Sequence, residues 1–121
     1  MIHIDGKDGG GQMLRTSLSL SALKQEPFKI TDIRGSRTEP GLKRQHIAAV
    51  KTLKEITDAE VEGLSLGSSE LVFQPETLRE RFISMDVGTA GSTTLLFDTL
   101  LPLSEKINIE GVFTGGTDVK W

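Results

Sequence analysis

Apolar positions along this chain recur with two different periods, and the changes of period predict its elements. Ile2 and Ile4 alternate with His3 and Asp5, which predicts a short strand over Ile2–Ile4 with His3 facing away from its neighbours. The segment Asp5-Gly-Lys-Asp8-Gly-Gly-Gly11 then breaks the pattern as a loop. Met13, Leu14, Leu18, Ser21 and Ala22 next fall on one stripe of a helix over Gln12–Lys24, with Thr16, Ser17 and Ser19 on other faces. Pro27–Arg34 returns to incomplete alternation through Phe28 and Ile30, as a strand would. A second helix over Lys43–Thr57 carries an apolar seam of His46, Ile47, Val50, Leu53 and Ile56. Ala59–Leu64 and Glu70–Gln74 read as a hairpin joined by Ser65-Leu-Gly-Ser-Ser69.

This order, β-α-β-α-β-β, then begins again. Arg81–Val87 reads as a strand, Gly88–Ser92 as a loop of small residues, Thr93–Leu103 as an apolar helix and Lys106–Val112 as a strand. Both copies have a strand ending in aspartate (Asp5, Asp86), a glycine loop, a helix, and a strand ending near glycine (Gly35, Gly111), offset by about 80 residues. The expectation is an α/β (α+β) fold built on a repeated β-α-β-α-β-β unit. Residues 1–78 would form one complete copy, and 79–121 an incomplete one that stops after strand, helix, strand. The chain is therefore expected to be the front part of a longer protein. A unit cut there is expected to leave Leu95, Leu96, Leu100 and Leu101 as an apolar surface that promotes association.

Composition narrows the classes. The 121 residues are 36% hydrophobic and 26% charged, ordinary for one globular domain, and cysteine is absent, so disulfides and thiolate metal sites are excluded. No stretch approaches a membrane span and Met1–Asp5 lacks a leader's basic and apolar regions, so a cytoplasmic protein with no membrane partner is expected. Net charge is −3, but it is uneven. Asp58, Glu60, Glu62, Glu70, Glu76 and Glu80 crowd a stretch with Arg79 as its one arginine, which would repel a polyanion. Against that background the turn Arg34–His46 gathers Arg34, Arg37, Lys43, Arg44 and His46 around Pro40-Gly41, with Glu39 as its one carboxylate. Arginine forks match phosphate oxygens two at a time, so this turn reads as a focused phosphate pocket rather than a broad nucleic-acid coat.

Two loops compete between structural and ligand readings. Asp8-Gly9-Gly10-Gly11-Gln12 opens a helix, either as a tight turn or as a backbone nest for anions, and Arg15 one turn on can reach back over it. It matches neither a P-loop nor a dinucleotide fingerprint, since Asp8 follows Gly6-Lys7 and Leu14 holds the third glycine position. Gly88-Thr-Ala-Gly91-Ser92 is either a close helix–sheet packing point capped by Ser92 or Thr89, or a second phosphate-facing nest. His46 lies on the apolar seam and reads as a core residue rather than a nucleophile, and His3 reads as structural. No metal-ligand spacing and no Ser/His/Asp arrangement is legible, so any metal site is unknown from the residues alone.

Taken together, Asp8-Gly-Gly-Gly-Gln-Met-Leu-Arg15, Arg37-x-x-Pro40-Gly41-Leu-x-Arg44-Gln45-His46, Leu66-Gly67-Ser68, Gly88-Thr-Ala-Gly-Ser92 and Gly115-Gly-Thr-Asp118 resemble the RNA 3′-terminal phosphate cyclase family across essentially the whole chain. The resemblance implies a protein roughly three times this length, with repeated β-α-β-α-β-β units and a smaller inserted domain. It implies ATP-dependent conversion of RNA 3′-phosphate ends to 2′,3′-cyclic phosphates through an adenylylated histidine beyond Trp121. ATP and Mg2+ are the implied cofactors, and RNA 3′ ends the implied partners. Arg15, Arg37, Arg44 and Gln45 are implied at the phosphate, and Asp8, Gly9, Gly10, Gly11 and Gln12 at the nucleotide. The chain departs from the family pattern in a shorter glycine loop, in Asp8 where Glu is usual, and in Asp98 where Gln is common. Alone it is expected to be inactive, as a fragment, a truncated product or one piece of a split enzyme completed by a second polypeptide or by a homo-oligomer. The alternatives are a non-catalytic cyclase-like protein acting in RNA binding or ribosome assembly, and a stand-alone α/β domain without nucleotide chemistry.

Overall fold

The computed structural model describes the backbone of residues 1–78, 81–86, 90–106, 109–114 and 119–120, and the side chains of 1–78 and 96–106. The elements are β1 (Ile2–Asp5), α1 (Gly11–Lys24), β2 (Phe28–Thr31), α2 (Arg44–Thr57), β3 (Glu60–Glu62), β4 (Leu71–Gln74), β5 (Arg81–Asp86), α3 (Ala90–Ser104), β6 (Ile109–Thr114) and β7 (Val119–Lys120). The class is mixed α/β, as the change of hydrophobic period predicts. A four-stranded sheet has the order β1-β2-β4-β3, and β5-β6-β7 form a second sheet. β1 and β2 are parallel with α1 crossing between them, whereas β4 runs antiparallel to both of its neighbours. β5, α3 and β6 make the same parallel strand-helix-strand connection as β1, α1 and β2.

The core follows the predicted stripes, with two departures. Phe28 and Ile30 of β2 lie opposite Phe73 and Leu71 of β4, and the two phenyl rings sit 5.9 Å apart. His46, Val50, Leu53 and Ile56 of α2 are buried beside them. In α1, however, Ser17 and Ser19 are buried as well as Leu14, Leu18, Ser21 and Ala22. For Ser19 the reason lies far along the chain: α1 packs on α3 as well as α2, and Ser19 Oγ donates to the Thr99 carbonyl at 2.7 Å, whereas Ser17 Oγ donates to Met13 O within α1. The bare apolar face expected on the second unit is likewise corrected. Leu96, Leu100 and Leu103 join the same core, because α3 lies against both α1 and α2. Only Leu101 of the expected patch is exposed among the described side chains, at 59%, and the Leu95 side chain lies outside them.

β2 stops at Thr31 rather than Arg34, because Asp32 and Arg34 take left-handed backbone angles (φ 51° and 53°) that end the strand. No helix among the described residues is long and apolar enough to cross a membrane.

Candidate functional site

Because β1 and β2 are parallel, both chains leave the sheet at the same edge, and ligands of such sheets gather there. The loops that meet at this edge are residues 6–10 and 32–43, the glycine loop and the cationic turn. Backbone hydrogen bonds join them: Gly6 N–H donates to Thr31 O (2.8 Å) and Ser36 N–H to Lys7 O (2.9 Å). The Ser36 hydroxyl also donates to Asp8 Oδ1 at 3.2 Å.

The far end of the cationic turn is held by a different strap. Gly41 N–H donates to Ile33 O (2.7 Å), Leu42 N–H to Ser68 O (3.0 Å) and Gly67 N–H to Leu42 O (2.8 Å). Gly41 has φ +87°, and a Cβ there would lie 2.4 Å from the Gly67 carbonyl oxygen, so only glycine fits. Arg34 Nη1 donates to the Glu39 and Gly41 carbonyls (2.7 and 3.1 Å), so this arginine shapes the turn rather than facing a ligand. Lys43 pairs with Glu39, and its hydrogen bond and charge hold the Glu39 carboxyl below the usual range.

The two loops bring donors to the start of α1. Gly10 is its N-cap, with no side-chain capping bond, and the first turn carries no acidic residue. The Gly11 and Gln12 amides precede the intrahelical ladder, and neither donates to a loop carbonyl among the described residues. A Cβ at Gly10 would lie 2.7 Å from Arg37 Nη2, and one at Gly11 would lie 2.7 Å from His46 Nε2. Consecutive glycines thus admit a guanidinium and an imidazole to the helix N-terminus. His46 is 2% exposed, and its Nδ1 accepts the Lys43 backbone N–H at 3.0 Å. Since a backbone amide only donates, the neutral ring carries its proton on Nε2. Burial, reinforced by Arg34, Arg15 and Lys43, pushes the His46 pKa down to about 4, so the ring is neutral at physiological pH.

The remaining sequence candidates divide. Arg15 Nη1 pairs with Asp98 Oδ2 at 3.3 Å and its Nη2 donates to Gln12 Oε1 at 2.6 Å, so α3 and Gln12 already hold it. Gln12 in turn donates to Thr16 Oγ1 at 3.1 Å. Arg44 is exposed at the first residue of α2 and makes no ion pair or hydrogen bond among the described residues, and Gln45 beside it is half-buried. The Met13 side chain lies against Gly9. Gly88-Thr89 and Gly115–Asp118 lie outside the described residues. No group of three metal-ligating side chains occurs among the described residues. An apolar groove of about 330 Å³ between Ile2, Ile4, Leu20 and Phe28 lies at the opposite end of β1 and α1, away from the cationic turn. Sequence reasoning counted Arg34 among the phosphate-facing cations, whereas it organises the turn, and it passed over Ser36. A local signal for His46 existed, its third position in a helix, where a side chain can accept the capping residue's N–H.

The family model described as RNA 3′-terminal phosphate cyclase matches residues 6–121. Among relatives bearing that name, the Sulfurisphaera tokodaii protein is 54% identical over 122 positions covering 98% of this chain. The Sulfolobus acidocaldarius protein is 50% identical over 98% of this chain, and that of Pyrococcus furiosus 50% identical over all of it. The chain spans about 36% of the length of these relatives. It belongs to the RNA 3′-terminal phosphate cyclase family.

Proposed function

We propose that this chain supplies the phosphate- and nucleotide-binding part of an ATP-dependent RNA 3′-terminal phosphate cyclase, and that 79–121 begin a second copy of the unit formed by 1–78. One observation carries the first reading: Arg37 and the His46 Nε2–H meet the open N-terminus of α1 at Gly10 and Gly11. A cation, a neutral donor and free helix amides together suit a phosphate, whose charge the helix end also favours.

In the reaction, a histidine nitrogen attacks the α-phosphorus of ATP and releases pyrophosphate. An oxygen of the RNA 3′-phosphate then displaces that histidine, and the 2′-hydroxyl, losing its proton, attacks the 3′-phosphorus and expels AMP. His46 is unsuited to the first step, because its Nδ1 lone pair is engaged by Lys43 and its Nε2 holds the proton. The nucleophile belongs to sequence beyond this chain. Arg37 orients a phosphate and balances charge that grows at the transferred group. Asp8 fits Mg2+ as a single carboxylate ligand, since Mg2+ is commonly held by one or two carboxylates with substrate phosphates completing its shell. Its Oδ1 takes the Ser36 hydroxyl, which fixes the carboxylate at the loop. Bound there, Mg2+ would neutralise charge on adjacent phosphates.

A second reading, a cyclase-like RNA-binding component without catalysis, is favoured by the Arg15–Asp98 pair, which takes one arginine out of the cationic set. Radiolabelled ATP tests the leading reading. The chain is expected to bind ATP in competition with 3′-phosphorylated RNA and to form no covalent adenylate. A covalent adenylate would move the nucleophile into this chain, and failure to bind either ligand would refute the phosphate site.

A further inference from the structure

His46 is buried and polar, and its ring takes no part in the transfer steps above. Its Nδ1 is committed to the Lys43 amide, yet Nε2 makes no hydrogen bond among the described residues. The ring is 2% exposed, but Nε2 itself is not sealed off from solvent, so this donor is open to a ligand or water. The free nitrogen lies where a Gly11 Cβ would come within 2.7 Å, directly against the start of a 14-residue helix. A Cβ at the neighbouring position, Gly10, would lie 2.7 Å from Arg37 Nη2, which brings the guanidinium to the start of the same helix.

We infer that His46 determines specificity at this site, its Nε2–H donating a hydrogen bond to one oxygen of a phosphate group that the Gly11 and Gln12 amides and Arg37 hold at the N-terminus of α1. The inference deepens the phosphate reading above and rests on it for the identity of the RNA end. Lys43 has the part of a positioning group: its backbone N–H fixes which nitrogen carries the proton. A neutral donor buried beside cations adds direction without a further charge. It accordingly favours a tetrahedral oxyanion, with an oxygen for each donor, over a planar carboxylate of similar size.

Inorganic phosphate is the probe. In nitrogen-detected NMR of the wild-type chain, His46 is expected to show the Nε2–H tautomer, and its Nε2 resonance to move as phosphate is added. Two variants separate the ring's two nitrogens. His46→Asn keeps an acceptor for the Lys43 amide but withdraws the deep donor, and phosphate affinity should fall about tenfold. His46→Gln restores an N–H near the Nε2 position and should recover most of that loss. An Nε2 resonance that stays still while phosphate saturates the chain, or an Nδ1–H tautomer, overturns the inference even if a variant fails to fold. If phosphate moves Nε2 but 3′-phosphorylated and 3′-hydroxyl RNA bind alike, the RNA-end reading fails and the His46 assignment stands.

Discussion

Replacing Gly41 and Gly67 separately by alanine tests the strap that sets the cationic turn. Both glycines have left-handed backbone angles, φ +87° and +79°, so either alanine costs about 1–2 kcal/mol through the backbone alone. Their surroundings differ sharply. A Cβ at Gly67 meets nothing within 4 Å, whereas one at Gly41 would stand 2.4 Å from the Gly67 carbonyl oxygen. That oxygen cannot retreat freely, because Gly67 N–H is bonded to Leu42 O at 2.8 Å and Leu42 N–H to Ser68 O at 3.0 Å. Relieving the overlap breaks or stretches both bonds, at about 1 kcal/mol each. Gly41→Ala should therefore cost about 3–4 kcal/mol against about 1–2 for Gly67→Ala. For a domain of this size the difference corresponds to roughly 8 °C in Tm. Urea and thermal unfolding followed by far-UV circular dichroism measure both losses. Equal losses for the two variants would mean that the turn does not approach the Leu66–Ser68 loop as described.

Asp98→Asn frees Arg15 from a partner 3.3 Å away whose side chain is 64% exposed, so the pair is worth about 0.5–1 kcal/mol. Stability should fall by that amount while affinity for phosphate rises about two- to fivefold in calorimetry; an unchanged affinity would show that Arg15 does not reach the site. Stability should also depend on pH through His46. Its folded pKa of about 4 lies below the ordinary 6.5, so the neutral ring's contribution is fully present above pH 6.5 and is lost as pH falls toward 4. A shift of that size corresponds to roughly 3 kcal/mol, of which about 2 is lost by pH 5. Urea unfolding of wild type and His46→Asn between pH 7 and 5 checks it, and parallel slopes would contradict the assignment.

Legibility in the sequence followed the range of the interactions involved. The seam of α2 was readable because Val50, Leu53 and Ile56 repeat at helical spacing within one element. The burial of Ser19 was not, since its partner Thr99 arrives on α3 about 80 residues later, beyond any local periodicity. The same distance hid the Arg15–Asp98 pair. Composition singled out the cationic turn but could not orient its arginines. Arg34 turns inward onto backbone carbonyls, Arg37 reaches Gly10, and Arg44 stands in solvent. Those three directions follow from the left-handed residues Asp32 and Arg34 and from the Ser36 contacts with the glycine loop, which are loop geometry rather than pattern.

The most direct test of the proposed function compares RNA oligonucleotides of one sequence ending in a 3′-phosphate or a 3′-hydroxyl, by fluorescence anisotropy at a fixed salt concentration. The phosphorylated end should bind at least tenfold more tightly, and Arg37→Ala should remove about 1.5–3 kcal/mol of that preference. Equal affinity of the wild-type chain for the two ends would contradict a phosphate site at Gly10 and Gly11.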